Sequence, residues 1–169
     1  MLIFQVARED PRWSGSIGIS RVKLMTRNLF SLVRELLGYR VERGVTVEIS
    51  IVLTNDEEIS LLNKNYRGVE GPTNVLSFPL YEREFPLCLG HEKYVALGDI
   101  VLSIDSIERE SAEQNKFLRE HLSHLIVHGL LHLLGFDHIA KEEAEIMERA
   151  EMVLLHRFEK LFLESYSQR

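Results

Sequence analysis

The stretch EHLSHLIVHGLLHLLGFDH, residues 120–138, decides how the rest of the chain is interpreted, because it holds five of the seven histidines of this 169-residue sequence. Its apolar residues recur at a spacing that predicts a helix over about residues 117–134. His128 and His132 are four residues apart, which on a helix places them about 40° apart around the axis and about 6 Å along it. Both imidazoles can therefore point at one metal ion.

A third histidine completes the pattern. Gly135 can end the helix in the left-handed conformation, and the turn it allows brings His138 back towards the same face. The resulting H-x3-H-x5-H spacing is that of the metzincin signature, in which three histidines hold a tetrahedral zinc ion with an open fourth position. Three imidazoles also suit nickel, cobalt or copper. The glutamate that follows the first histidine in metalloproteases as general base is absent, since that position is Gly129.

The other histidines carry weaker signals. His124 lies one turn upstream on the same helix face, and we interpret it as a packing or surface residue rather than as a support for a ligand. Asp137 either accepts an N–H bond from a ligand imidazole or holds the turn, and both alternatives stay open. His91 and His156 are treated as unrelated to the site.

Outside the histidine stretch, strands and helices first alternate, and helices then cluster towards the C-terminus. Asn55 is a favourable cap for the helix that it precedes, because its side chain can accept a bond from the first turn. We find no repeat and no linker, so residues 1–169 are expected to form a single α+β domain. The predicted strands are 2–7, 45–53, 74–80 and 96–104, and the predicted helices are 22–37, 56–66, 104–115, 117–134 and 141–164.

Composition excludes several classes of protein. The net charge is −6, and residues 1–90 are balanced whereas residues 91–169 carry 9 Lys and Arg against 15 Asp and Glu. This distribution argues against binding to nucleic acid through a bulk positive field, although a local basic groove stays possible. No apolar run approaches the roughly 20 residues of a membrane span. The single cysteine, Cys88, fits a reducing compartment, so a cytoplasmic protein is expected.

Three blocks of sequence together resemble the YbeY-type endoribonucleases, the bacterial rRNA maturation factors. They are HGLLHLLGFDH at 128–138, LNKNYRGVEGPTNVLSFPL at 62–80 and LGDIVLS at 97–103. The blocks occur in the order of that family, and the resemblance covers about residues 45–155. It implies a zincin-like domain in which a small, mostly parallel or mixed β-sheet packs against helices, with the metal at the mouth of a cleft.

The resemblance also implies a function. It predicts a zinc-dependent, single-strand-specific endoribonuclease that acts in 3′-end maturation of 16S rRNA and in ribosome quality control. His128, His132 and His138 would hold one Zn²⁺ ion, and Arg67 would be the functional arginine. The expected partners are single-stranded or ribosomal RNA and the small ribosomal subunit or its proteins, with no DNA and no membrane.

Two alternatives from other functional classes remain. One is a metzincin-like metal hydrolase, a protease or amidase, which the missing glutamate at Gly129 disfavours. The other is a non-catalytic ribosome assembly factor with a structural metal, which the lack of an obvious fourth protein ligand disfavours because Cys88 is remote in sequence. In the leading hypothesis the nucleophile is either a water activated by the metal or the 2′-hydroxyl of the RNA. Ser77 is a phosphate contact or, as we favour, an edge hydroxyl.

Overall fold

The computed structural model describes residues 1–80, 88–89 and 93–163. Within these ranges the chain forms six strands and six α-helices, and a π-helical turn, Glu159–Leu163, follows the last helix. The strands are β1 (Leu2–Arg8), β2 (Arg40–Val41), β3 (Thr46–Thr54), β4 (Val75–Pro79), β5 (Cys88–Leu89) and β6 (Tyr94–Ser103). The helices are α1 (Trp13–Ser16), α2 (Ile19–Leu36), α3 (Asp56–Arg67), α4 (Ile104–Glu113), α5 (Leu118–Leu133) and α6 (Lys141–Phe158).

The main sheet is mixed. Its strand order is β1-β3-β6-β4, in which β1, β3 and β6 run parallel to one another and β4 runs antiparallel to β6. Along β3, Val47, Ile49 and Ile51 are buried and alternate with less buried residues, as the period of two in the sequence predicts. The α+β prediction with a small mixed sheet is therefore confirmed. β2 and β5 form a separate two-stranded parallel pair.

Helices cover both faces of this sheet. On one face α2, α5 and α6 pack against each other and against the strands around the main apolar core. On the other face α3 covers a smaller cluster made by Ile59, Leu76 and Val101. Successive strand residues point to opposite faces, so neighbouring apolar residues of β6, such as Ile100 and Val101, serve different clusters. No helix in the described ranges has both the length and the apolar character that a bilayer crossing requires.

Long-range contacts account for the local differences from the predicted elements. The segment around Trp13, which lies outside the predicted elements, forms a short helix whose Trp13 indole is fully buried and donates to the Thr54 carbonyl at 2.9 Å. Gly18, with φ +83°, lets α2 begin at Ile19 rather than at residue 22. Most of residues 81–94, between the predicted strands 74–80 and 96–104 and including His91, lie outside the described residues, as does residue 164 at the end of the predicted last helix.

The edge strand β4 is held close to β6 at a bulge. Between the pairs Glu48–Ala96 and Ser50–Asp99, one residue of β3 opposes two of β6, and one of these two, Gly98, has φ +137°. A Cβ atom at Gly98 would lie 2.1 Å from the carbonyl oxygen of Phe78, so only glycine permits this approach of the two backbones. The bulge thereby sets the position of β4, whose outer edge borders the site described next.

Candidate metal centre and its cleft

His128 and His132 face each other on α5. Their Nε2 atoms are 3.1 Å apart and their ring centroids are 4.6 Å apart. Two nitrogens that bind one tetrahedral zinc ion at about 2.0–2.1 Å lie about 3.3 Å from each other. The helical spacing therefore places two ligand atoms at a separation close to the one that a single zinc ion requires.

His138 returns to the same point through a turn after α5. Gly135 has φ +90° and donates its N–H to the His132 carbonyl, which ends the helix as expected. The ring centroid of His138 lies 5.5 Å from that of His128 and 5.0 Å from that of His132. Taking one nitrogen from each ring, the three ligand atoms all lie within 4.8 Å of one another. The three histidines could hold one metal ion.

Hydrogen bonds determine which nitrogens face inward. Nδ1 of His132 lies 3.0 Å from the carbonyl oxygen of Phe136, and Nδ1 of His128 lies 2.6 Å from Oε1 of Glu151. A carbonyl and an ionised carboxylate only accept, so both Nδ1 atoms carry the proton and donate. Both Nε2 atoms then keep a lone pair for a ligand, the tautomer that metal-binding histidines need. This donor set fits a zinc ion.

Glu151 on α6 is a part of the site that the sequence analysis did not identify. Burial alone would raise the pKa of its carboxyl, but the hydrogen bonds and charges of His124 and His128 lower that pKa to about 2. His124 contributes through Nε2, 3.5 Å from Glu151 Oε2. The structure thus places His124 against a residue that supports a ligand, whereas the sequence favours a packing or surface role for it.

A signal for Glu151 was present in the helix pattern. Met147, Ala150, Leu154 and Phe158 form the buried stripe of α6. Glu151 lies within that stripe, four residues after Met147 and three before Leu154. A carboxylate at a core-facing position of an amphipathic helix needs a partner, and here the partner is His128.

The environment of His132 favours its neutral form. Burial lowers the pKa of this imidazole, and the nearby His128 and His138 lower it further, to about 4. A histidine that is neutral near pH 7 can bind a metal without first losing a proton.

Arg67 opens onto the same cleft as the histidines. This cleft has a volume of about 840 Å³ and is bordered by the end of α3, by β4 and by the segment that carries His138. α3 ends at Arg67 because Gly68 adopts the left-handed conformation, with φ +67°, and donates to the Asn63 and Lys64 carbonyls. Among the described residues, the exposed Arg67 guanidinium has no hydrogen-bond or ion-pair partner, so it is available to an anion.

Of the remaining candidate residues, Ser77 lies at the cleft and Asp137 lies in the turn after α5. Ser77 lines the cleft, where it is half-buried. Asp137 accepts the backbone N–H of His138 at 2.7 Å, and Nδ1 of both His128 and His132 has another partner. Asp137 therefore holds the turn, the second of the two alternatives. The side chain of Cys88 lies outside what the structure describes.

A set of three hydrogen-bonded polar side chains also reaches the cleft, at the residue that precedes β4. Asn74, which lines the cleft, donates through Nδ2 to Oε2 of Glu110 at 2.8 Å. The same oxygen lies 2.7 Å from Nε2 of His121, whose side chain is only 4% exposed. Glu110 thereby orients the Asn74 amide at the cleft wall. The sequence offered no signal for this contact, because the three residues belong to separate elements.

Gly129 faces the sheet rather than the cleft, where the glutamate of a metalloprotease would have to lie. A Cβ atom at this position would lie 3.0 Å from two side-chain carbons of Ile100, which is fully buried in β6. The residue after the first histidine is therefore packed against the sheet, and a glutamate there would have to displace β6. This packing is a structural reason for the absence of the metalloprotease base.

Comparison with known proteins shows which family the chain matches. A family model described as Endoribonuclease YbeY matches residues 16–159. A protein named Endoribonuclease YbeY from Allorhizobium ampelinum is 48% identical over 108 residues, which cover 64% of this chain and 62% of the relative. Its namesake from Sinorhizobium medicae is 48% identical over 110 residues, covering 65% of this chain and 63% of the relative.

The similarity extends to a more divergent relative and to a solved structure. The Endoribonuclease YbeY of Rhodospirillum rubrum is 45% identical over 118 residues, 70% of this chain and 58% of the relative. The chain thus spans about three fifths of the length of these curated relatives. The solution structure of TM1509 from Thermotoga maritima is similar in fold, with a TM-score of 0.55 at 23% identity, covering 96% of this chain and 95% of that one.

Proposed function

The chain belongs to the YbeY endoribonuclease family, and from that premise we propose that it is a zinc-dependent endoribonuclease specific for single-stranded RNA. The observation that carries the proposal is the meeting of two groups at one cleft. These are three histidine nitrogens within 4.8 Å of one another and the guanidinium of Arg67, which has no ion-pair partner in the part of the chain that the structure describes. A phosphodiester is an anion that a metal ion held by the histidines and the guanidinium of Arg67 would both bind.

His128, His132 and His138 are proposed to hold one Zn²⁺ ion, which when bound would supply a Lewis acid at the phosphate of the RNA. Arg67 binds a non-bridging phosphate oxygen and stabilises the negative charge that develops on the phosphoryl group during cleavage. Glu151 keeps the proton of His128 on Nδ1, and the Phe136 carbonyl does the same for His132. The protein thus contributes fixed ligands and one positioned cation.

In the cell, we propose that the substrate is the 3′ region of 16S rRNA on the small ribosomal subunit, in the cytoplasm, as a step of maturation and quality control. Membership of the family supports this assignment. The net charge of −6 supports a partner that guides the enzyme to its RNA rather than a bulk electrostatic attraction. The packing of Gly129 against Ile100 counts against peptide hydrolysis.

The test is cleavage of an end-labelled single-stranded RNA that carries the 3′ precursor sequence, with duplex RNA and single-stranded DNA as comparison substrates. We expect the purified protein to cut the single-stranded RNA alone, a chelator to abolish cutting, and zinc to restore it. Arg67→Ala should bind the metal but not cut. Cutting that survives both the chelator and this substitution would come from a contaminating nuclease. Absence of cutting, with and without small subunits, would favour the non-catalytic assembly factor.

A further inference from the structure

Tyr66 is an exposed aromatic residue at the cleft without an assigned role. Its side chain is 70% exposed, although it belongs to the last turn of α3 and lines the cleft together with Arg67. Leaving a large aromatic side chain in water forgoes the free energy of burying it. The position of Tyr66 beside the phosphate-binding cation suits a planar, apolar ligand group.

The Tyr66 ring is held in place from one side. Its centroid lies 5.1 Å from that of Phe78, and the two planes are inclined by 70°. Phe78 in turn packs against the buried cluster of Ile59, Leu76 and Val101 under α3. The exposed ring is therefore supported by the fold. An edge-to-face contact of this kind uses at most one face of the tyrosine ring, so at least one face is free for a second planar group.

We infer that Tyr66 is a stacking platform for a nucleobase of the RNA, next to the phosphate that Arg67 binds. This inference rests on the proposed function and adds a base-binding subsite to it. A nucleotide carries a flat base and a phosphate, and Tyr66 and Arg67 offer a flat ring and a guanidinium from consecutive positions of one helix end. Only an unpaired base can leave its neighbours and stack on a protein ring, so the platform favours single strands over duplexes.

Stacking and charge contacts respond differently to salt, so the salt dependence of RNA affinity distinguishes the contribution of Tyr66 from that of Arg67. A phosphate contact releases counterions, so each one adds about 0.7 to the slope of log affinity against log salt for a single strand. Stacking on a neutral ring releases none. Removal of the Tyr66 ring should lower RNA affinity without changing the salt slope, whereas Arg67→Ala should reduce the slope by about 0.7.

The experiment compares the zinc-loaded protein with the variants Tyr66→Phe, Tyr66→Leu and Tyr66→Ala in single-stranded RNA cleavage. Tyr66→Phe keeps the ring and should behave as wild type. Tyr66→Leu keeps apolar bulk against Phe78 but has no aromatic face, so it and Tyr66→Ala should raise KM between about 5-fold and about 150-fold at nearly unchanged kcat. Leu61→Ala is the matched control, because Leu61 is an exposed apolar residue of the same helix, 56% exposed, outside the cleft.

A single abasic nucleotide, moved stepwise along the RNA, identifies the stacked base. When the abasic nucleotide is at the stacked position, next to the cleavage site, the RNA affinity of the wild type should fall. The Tyr66→Ala variant should bind this abasic RNA as well as it binds the intact RNA. If the affinity losses caused by the abasic nucleotide and by Tyr66→Ala add at every position, the inference is overturned. It is also overturned if Tyr66→Leu cleaves with the KM of wild type. A wild-type protein that neither binds nor cuts RNA would overturn the proposed function as well, so the two failures are distinguishable.

Discussion

Oε1 of Glu151 lies 2.6 Å from Nδ1 of His128, which joins the last long helix to the first histidine of the candidate metal centre. The two residues are 23 positions apart in the chain. Because the carboxylate accepts the Nδ1 proton, Nε2 of His128 is left with its lone pair towards Nε2 of His132. The contact therefore sets the tautomer as well as the orientation of the ring.

Removal of the Glu151 carboxylate should weaken metal binding. We expect Glu151→Ala to lower zinc affinity about 10- to 100-fold, since contacts that orient a ligand histidine contribute on that scale. Glu151→Gln keeps an acceptor oxygen and should lose less. Competition with a chelating dye measures both, with Glu148→Ala as an exposed control one turn earlier on α6. Equal affinity in all three variants would show that Glu151 does not orient His128.

Substitutions of Arg67 and His132 should differ in their effects on metal content when zinc and turnover are measured on the same samples. His132→Ala removes a ligand and should lose both zinc and RNA cleavage. Arg67→Ala should keep about one zinc ion per chain while cleavage falls roughly 100- to 1,000-fold, the usual loss when one donor to a developing charge is removed. Metal content by elemental analysis checks this expectation. Zinc lost equally in both variants would contradict the separate roles.

Any residue larger than glycine at position 129 should destabilise the fold as long as Ile100 is present. In an isolated helix Gly→Ala stabilises by about 1 kcal/mol. Here the added Cβ would lie 3.0 Å from the fully buried Ile100 side chain, and overpacking of that kind costs about 1–3 kcal/mol. We expect Gly129→Ala to lower the free energy of unfolding by about 1 kcal/mol, and Gly129→Glu to prevent folding rather than create a peptidase.

The double variant provides the control for this packing argument. Ile100→Val removes Cδ1, one of the carbons that the new Cβ would approach. In urea denaturation, Gly129→Ala should therefore cost less in the Ile100→Val background than in wild type. A stabilising Gly129→Ala in the wild-type background would mean that Ile100 yields freely and that the contact does not restrict this position.

The metal-free protein should lose stability in mild acid through His132. Its pKa in the folded protein is about 4 rather than 6.5. Between about pH 4 and 6.5 the unfolded chain therefore binds a proton that the folded protein does not, so this contribution to stability is complete above pH 6.5 and is lost as the pH falls. Thermal denaturation of chelated protein should show a steeper decline over this window for wild type than for His132→Gln. Parallel curves would contradict the lowered pKa.

The sequence by itself determined the four strands of the main sheet, the long helices and the spacing of the three histidines. The alternation in β3 and the helical periodicity of α5 depend only on local backbone geometry, in which side chains repeat every 2.0 or 3.6 residues. For the same reason the i, i+4 pair His128 and His132, and the turn at Gly135 that returns His138, were predictable before any tertiary contact was known. Their roles as metal ligands stay a prediction, for which the geometry provides support.

The tertiary structure alone decided which other side chains reach these histidines. Arg67 and Tyr66 come to the cleft because α3 ends beside β4, and Glu151 because α6 crosses α5 at the level of His128. The Asn74–Glu110 contact likewise joins the start of an edge strand to a helix 36 residues away. Such contacts depend on how apolar faces pack against each other over long chain separations. Local periodicity carries no information about that packing, so Tyr66, Glu151 and the Asn74–Glu110 contact were placed at the site only by the folded chain, whereas the family resemblance had already named Arg67.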